Sequence, residues 1–129
     1  MPRAYTLATA ALALGAPNKW LDNVLSHYTV PGVEQKRQGI TRRLSVDGLV
    51  VLGIALLLMR EVGLPALRAI DTAQHLANNN GSYQFERLSL SIDLAAFRNE
   101  LLVRLENAVE IAPVPKRGRP IENKTGRLD

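Results

Sequence analysis

The chain has 129 residues, 47% of them hydrophobic, with 16 Lys or Arg against 12 Asp or Glu and no cysteine. That length suits one compact domain with a tail, and the apolar share is enough for a real core. The missing thiols exclude a disulfide scaffold and a thiolate metal site. The lone His27 and His75 argue against a zinc centre, and the net charge of +4 favours a polyanion partner.

The opening "MPRAYTLATAALALGAPNKW" has an early Arg3 and small residues near Ala16, a weak likeness to a secretory signal. Thr6 and Thr9 interrupt its apolar part, and it lacks a dense Leu or Val centre, so the expected location is cytoplasmic. Thr6 can instead cap a first helix, because its hydroxyl accepts from the free amides of the opening turn. Leu7, Ala10, Ala11 and Leu14 then recur at helical spacing, and Gly15 ends the run. Ala16-Pro17-Asn18 leads into a second helix with Trp20, Leu21, Val24 and Leu25 on one face. Two short helices about a Gly-centred turn form the helix-turn-helix pattern.

From Tyr28 to Arg43 the helical pattern lapses, and Pro31-Gly32 and Gly39 punctuate a basic segment that fits a hairpin or wing. Ser45 then caps a third helix expected to reach about Glu61 and stop at Gly63. It contains "LVVLGIALLLM" (Leu49 to Met59), a run without charge that is too short to cross a bilayer, which needs about 20 apolar residues. A helix apolar all round must be covered all round. Its expected covers are the helix-turn-helix on one side and, on the other, a later strand and the last helix, from the same chain or a partner.

Leu64-Pro65 starts a fourth helix with Leu67, Ile70, Ala73, Gln74 and Ala77 at helical spacing, and "NNNGS" breaks it. Leu88, Leu90 and Ile92 alternate with Ser89 and Ser91, as in a half-buried strand. Asp93 can cap a last helix whose stripe is Leu94, Phe97, Leu101, Leu105 and Ala108, widened by Leu102 and Val109. Pro113 and Pro115 stop it, and the polar remainder reads as a disordered tail.

The stretches "YTLATAALALGAPNKWL", "TRRLSVDGLVVLGIALLL" and "EVGLPALRAI" resemble the winged helix-turn-helix of MerR-type transcription regulators. The family's Tyr-Thr start, Ala-x-x-x-Gly turn, Arg-aromatic-Ser step and Gly-Leu step correspond to Tyr5-Thr6, Ala11 and Gly15, Arg43-Leu44-Ser45 and Gly63-Leu64. The resemblance implies that the helix from about Asn18 to Ser26 enters the major groove. It also implies that Lys19 is its basic residue and that Arg43 is the wing arginine at the DNA backbone. Asp22, Asn23 and Leu44 depart from the family's basic and aromatic residues. A short strand and one helix stand where the family has a long antiparallel coiled coil. The expected fold is therefore mainly α: a winged helix-turn-helix of four helices with a small wing (1–77), a strand-helix dimerisation or packing element (78–112) and a flexible basic tail (113–129).

Within the tail, Arg117-Gly118-Arg119-Pro120 resembles the core of an AT-hook, with Lys116 ahead of it. The minor groove narrows and grows more negative at A·T tracts. A glycine lets the backbone approach its floor while the flanking arginines extend along it.

Phosphate contacts are expected from Lys36, Arg37, Arg42 and Arg43, and base reading from Asn18, Lys19 and Asn23. No glycine-rich phosphate loop or Ser-His-acid set is apparent, and Glu100, Glu106 and Glu110 read as a solvated face, so an enzyme is not expected. The function expected is a sequence-specific DNA-binding protein, a small homodimeric transcriptional regulator of bacterial or phage type. It would bind double-stranded DNA in the nucleoid, with no membrane, cofactor, metal or small-molecule effector. The alternatives are an excisionase-like architectural protein, or an antitoxin or adaptor whose apolar third helix docks a protein. Assembly through the last helix would place Leu101 at the dimer seam.

Overall fold

The computed structural model describes residues 4–30, 32–34 and 43–111. Lys36, Arg37 and Arg42, and the tail residues Lys116, Arg117, Gly118 and Arg119, lie outside the described residues. The architecture is mainly helical with small antiparallel sheets.

Local chemistry sets the first elements. Strand β1 (Ala4–Tyr5) leads to helix α1 (Leu7–Leu14), where Thr6 Oγ1 accepts from the Thr9 amide at 3.3 Å. Gly15 adopts φ +70°, and the Ala16 and Gly15 amides return to the Ala11 and Leu12 carbonyls at 2.9 and 3.2 Å. That paired return closes the helix, and its left-handed residue is one that glycine takes without strain. Helix α2 (Asn18–His27) follows, anchored by buried Leu21, Val24 and Leu25, with Trp20 half-buried against the core.

Strands β2 (Val33–Glu34) and β3 (Arg43–Ser45) join β1 in a three-stranded sheet of order β1-β3-β2, antiparallel throughout. Leu44 sits opposite both Tyr5 and Val33 and is fully buried. β3 runs straight into helix α3 (Val46–Leu57), where Ser45 Oγ accepts from the Gly48 amide at 3.1 Å. The helix ends in a π-helical turn (Leu58–Val62) that stops at Gly63, φ +81°, where the sequence places the end.

Every residue of α3 from Gly48 to Leu56 is buried, and Leu57 alone of its apolar run beyond them is 41% exposed within the helix. Helix α1 of the helix-turn-helix and the last helix cover α3 as expected, but the strand is not among its main neighbours. Helix α4 (Ala66–Asn78) is the main neighbour, with α1 and the last helix closing other sides. A helix buried without a break from Gly48 to Leu56 needs a partner of similar length, and a four-residue strand cannot supply one. The buried face of α4 is Ala69, Ile70, Thr72, Ala73 and Leu76, whereas Leu67 points outward and is 63% exposed, contrary to its periodicity.

Two strands, β4 (Ser82–Phe85) and β5 (Leu88–Ser91), form an antiparallel hairpin where one strand was expected. Leu90 and Ile92 are half-buried as the alternation suggests, but Leu88 is 55% exposed because it lies at the hairpin tip. Helix α5 (Leu94–Ile111) starts on Asp93, whose Oδ1 accepts from the Ala96 amide at 3.1 Å. It folds back along α1 of the same chain and buries Leu101, Leu105 and Ala108. Leu102 and Val109 do not widen that stripe; they face away and are exposed. Among the described residues no helix is long and apolar enough to cross a membrane.

Candidate nucleic-acid interface

The outward face of α2 is built by the burial of the inward one. Leu21, Val24 and Leu25 pin the helix to the core. Helical spacing then turns Asn18, Lys19, Asn23, Ser26 and His27 into solvent, all of them exposed. Two side chains on this face bond back to their own helix. Ser26 Oγ donates to the Asp22 carbonyl at 2.8 Å, and His27 Nδ1 lies 2.8 Å from the Asn23 carbonyl. A carbonyl only accepts, so that contact places the His27 proton on Nδ1. Asn18, Lys19 and Asn23 are left pointing outward with long or amide-bearing groups. No side chain caps the first turn of α2, because Pro17 precedes it.

The structure brings Asn18, Lys19 and Asn23 onto one face of a single ten-residue helix, as the sequence suggests. Arg43 is exposed at the start of β3, opposite Glu34 in the β2–β3 register, and lines a shallow depression with Ala4, Gly32, Val33 and Ser45. The segment between these paired strands, residues 35–42, carries Lys36, Arg37 and Arg42. Gly32 holds the root of this pair to α3. With φ +87°, a Cβ on it would lie 2.6 Å from Ser45 Oγ and 2.8 Å from the Gly48 amide nitrogen. The Ser45 amide in turn donates to the Gly32 carbonyl at 2.9 Å. The strand pair and the capped end of α3 are therefore one packed joint.

The exposed face of α2 is nearly balanced in charge, since Lys19 stands one turn from Asp22.

Some arginines carry no sequence motif yet occupy formed sites. Arg60, on the π-helical turn, donates from Nη2 to the Gly15 carbonyl at 2.9 Å and so ties the turn after α1 to the end of α3. It shares a cleft with Leu57, Phe97, Glu100 and Arg104. Arg68 on α4 lies over the Phe85 ring at 5.1 Å, and Tyr83 packs on His75 with ring centroids 4.7 Å apart. The Arg60 contact joins elements far apart in sequence and the other two join α4 to the strand that follows it, so no spacing within one element announces them. Among the described residues no group of three or more His, Asp or Glu is placed to hold a metal ion. No protein-family model matches the chain, and no curated protein or solved structure matches it either.

Proposed function

We propose that the chain is a sequence-specific DNA-binding protein of winged helix-turn-helix type, acting as a homodimeric transcriptional regulator. One observation carries the reading: α2 is anchored by Leu21, Val24 and Leu25 while Asn18, Lys19 and Asn23 project from its free face, and the antiparallel strand pair that follows it in the chain has a basic connection. A helix of this size fits the major groove, where amide side chains read adenine edges and Lys reads guanine. Arg43, with Lys36, Arg37 and Arg42, holds phosphate and sets register. The Arg117-Gly118-Arg119-Pro120 tail adds minor-groove affinity. The order β1-α1-α2-β2-β3-α3 supports the likeness to MerR-type regulators stated from the sequence.

The adaptor reading, in which α3 docks a protein, loses its surface, because residues Gly48 to Leu56 are already covered within the chain. The decisive experiment is selection from random duplex DNA with the full chain, followed by a salt titration on the selected site. A recovered motif and a steep fall of affinity with salt are expected, with a slope near −0.9 per phosphate contact. Recovery of no motif together with a flat salt response overturns the proposal.

A further inference from the structure

The segment Arg87-Leu88-Ser89-Leu90-Ser91-Ile92-Asp93 is self-complementary about Leu90. Leucine and isoleucine stand two places either side, serine one place either side, and an arginine and an aspartate three places either side. The structure exposes the edge on which that symmetry can act. The Ile92 amide donates to the Gly81 carbonyl at 2.8 Å, and Leu90 and Leu88 stand opposite Tyr83 and Phe85. Backbone groups alternate in direction along a strand, so Leu88, Leu90 and Ile92 point theirs at β4. Ser89 and Ser91 therefore point theirs away from the hairpin. Among the described residues no other element pairs with that edge.

The two edges of the hairpin differ. On β4, the Ser82 amide donates to the Asn79 carbonyl at 3.1 Å and Asn79 Nδ2 donates to the Ser82 carbonyl at 2.8 Å, so that edge is partly closed. On β5 no proline, charge or bulge interrupts residues 88–91, the devices that ordinarily guard an open edge. Beside it, Leu88 and Phe85 are 55% and 41% exposed.

We propose that β5 pairs antiparallel with β5 of a second copy of this chain, with the two-fold axis at Leu90, making a continuous four-stranded sheet across the dimer. In this register Ser89 faces Ser91 of the second copy, and each such pair exchanges both of its backbone hydrogen bonds. Tyr83 packs on His75 and Phe85 under Arg68, so their cross-strand partners Leu90 and Leu88 share the face toward α4. On that face Leu90 meets Leu90, and Leu88 meets Ile92. On the other face serine meets serine. Arg87 meets Asp93, an opposite-charge pair made twice by symmetry. A shift by one residue would set leucine against serine along the whole strand, so the pattern selects one register. The inference names the interface of the homodimer proposed above. Mass is read without DNA, so its failure and the failure of DNA binding are distinguishable.

The test uses the full chain, which has no cysteine of its own. Light scattering over a concentration series should give a mass approaching twice the 14.2 kDa chain. Ser89→Pro removes only an outward amide, leaves the ladder to β4 intact, and should return the mass to one chain. Leu90→Cys places two thiols at a non-hydrogen-bonded antiparallel pair, where Cα atoms lie about 4.5 Å apart. That separation falls within the range of about 4.4–6.8 Å that a disulfide spans. Mild oxidation should therefore cross-link Leu90→Cys and leave Ser89→Cys and Leu102→Cys single. If Ser89→Pro does not fold, the cysteine series decides alone. A single-chain mass at every concentration overturns the interface, as does cross-linking strongest at Leu102→Cys, which would move the contact to α5.

Discussion

Phe97 of α5 lies across Gly53 of α3 so closely that a Cβ built on the glycine would fall 2.9 Å from the ring's Cζ, with Leu14 Cδ2 at 3.3 Å on the α1 side. Three helices meet at one missing methyl group. This is where the apolar stretch of α3 is closed by helices of its own chain, and it explains a glycine in a helix interior, where the residue costs about 1 kcal/mol relative to alanine. Gly53→Ala would regain that propensity, but overpacking ordinarily costs about 1–3 kcal/mol. The net expectation is a loss of about 0–2 kcal/mol in urea unfolding. Phe97→Leu in the same background should recover most of it. A more stable Gly53→Ala would mean that the ring is not held against α3.

The joint between the strand pair and α3 makes a second, graded prediction. Ser45→Ala removes one N-cap bond and should cost about 1 kcal/mol. Gly32→Ala must strain a left-handed backbone and also collide with Ser45 Oγ and the Gly48 amide. Those two penalties together are on the order of 2–5 kcal/mol. Thermal unfolding of both variants should rank them in that order. Equal losses would show that Gly32 does not bear on the cap.

Most of the helical framework was legible in the sequence because its signals are local. Thr6, Ser45 and Asp93 cap their helices, Gly15 and Gly63 end theirs with positive φ, and the α1 and α2 faces follow their periodicity. What escaped depends on partners. Leu67, Leu102 and Val109 satisfy a helical stripe but face solvent, because a stripe wider than the neighbouring helix cannot all be covered. Strand β4 was hidden because its connection to β5 is Glu86-Arg87, with Glu86 at φ +53°, rather than a glycine or asparagine turn. Of the candidate site, the helical part was legible, since the spacing of Leu21, Val24 and Leu25 dictates which of its residues face outward. The basic residues 36, 37 and 42 lie outside the described residues.

The DNA proposal predicts separable effects on the exposed groups. Arg43→Ala, which removes a phosphate contact, should lower the salt slope by about 0.9, whereas Lys19→Ala removes a base contact and should relax base preference. Both residues are exposed, so unfolding midpoints should not move. Asn23→Ala should leave the slope alone and relax base preference by about 1–3 kcal/mol at one position. Competition assays with substituted duplexes check this. A uniform loss across all sequences would assign Asn23 to backbone contact instead.

For the tail, Arg117→Ala combined with Arg119→Ala should weaken binding most on A·T-rich duplexes, where the minor groove is narrow and most negative. Fluorescence anisotropy on matched A·T-rich and G·C-rich duplexes reads the difference. An equal loss on both reduces the segment to a basic tail that attracts any phosphate backbone.

Leu101 separates folding from assembly. The sequence alone suggests Leu101→Glu as a way to break a dimer, but the structure places this side chain in the chain's own core, 2% exposed where α5 crosses α1. Glutamate there must either bury a carboxylate or lift α5 away, and either outcome removes Leu105 and Ala108 from their packing as well. The expected loss is on the order of 3–5 kcal/mol, a large part of the stability of a domain this size. Leu102, one residue on and 37% exposed, should accept glutamate within about 0.5 kcal/mol. Urea unfolding of the two variants tests the placement. A Leu101→Glu protein as stable as the parent, but halved in mass, would show that α5 docks on a neighbouring chain rather than on its own α1.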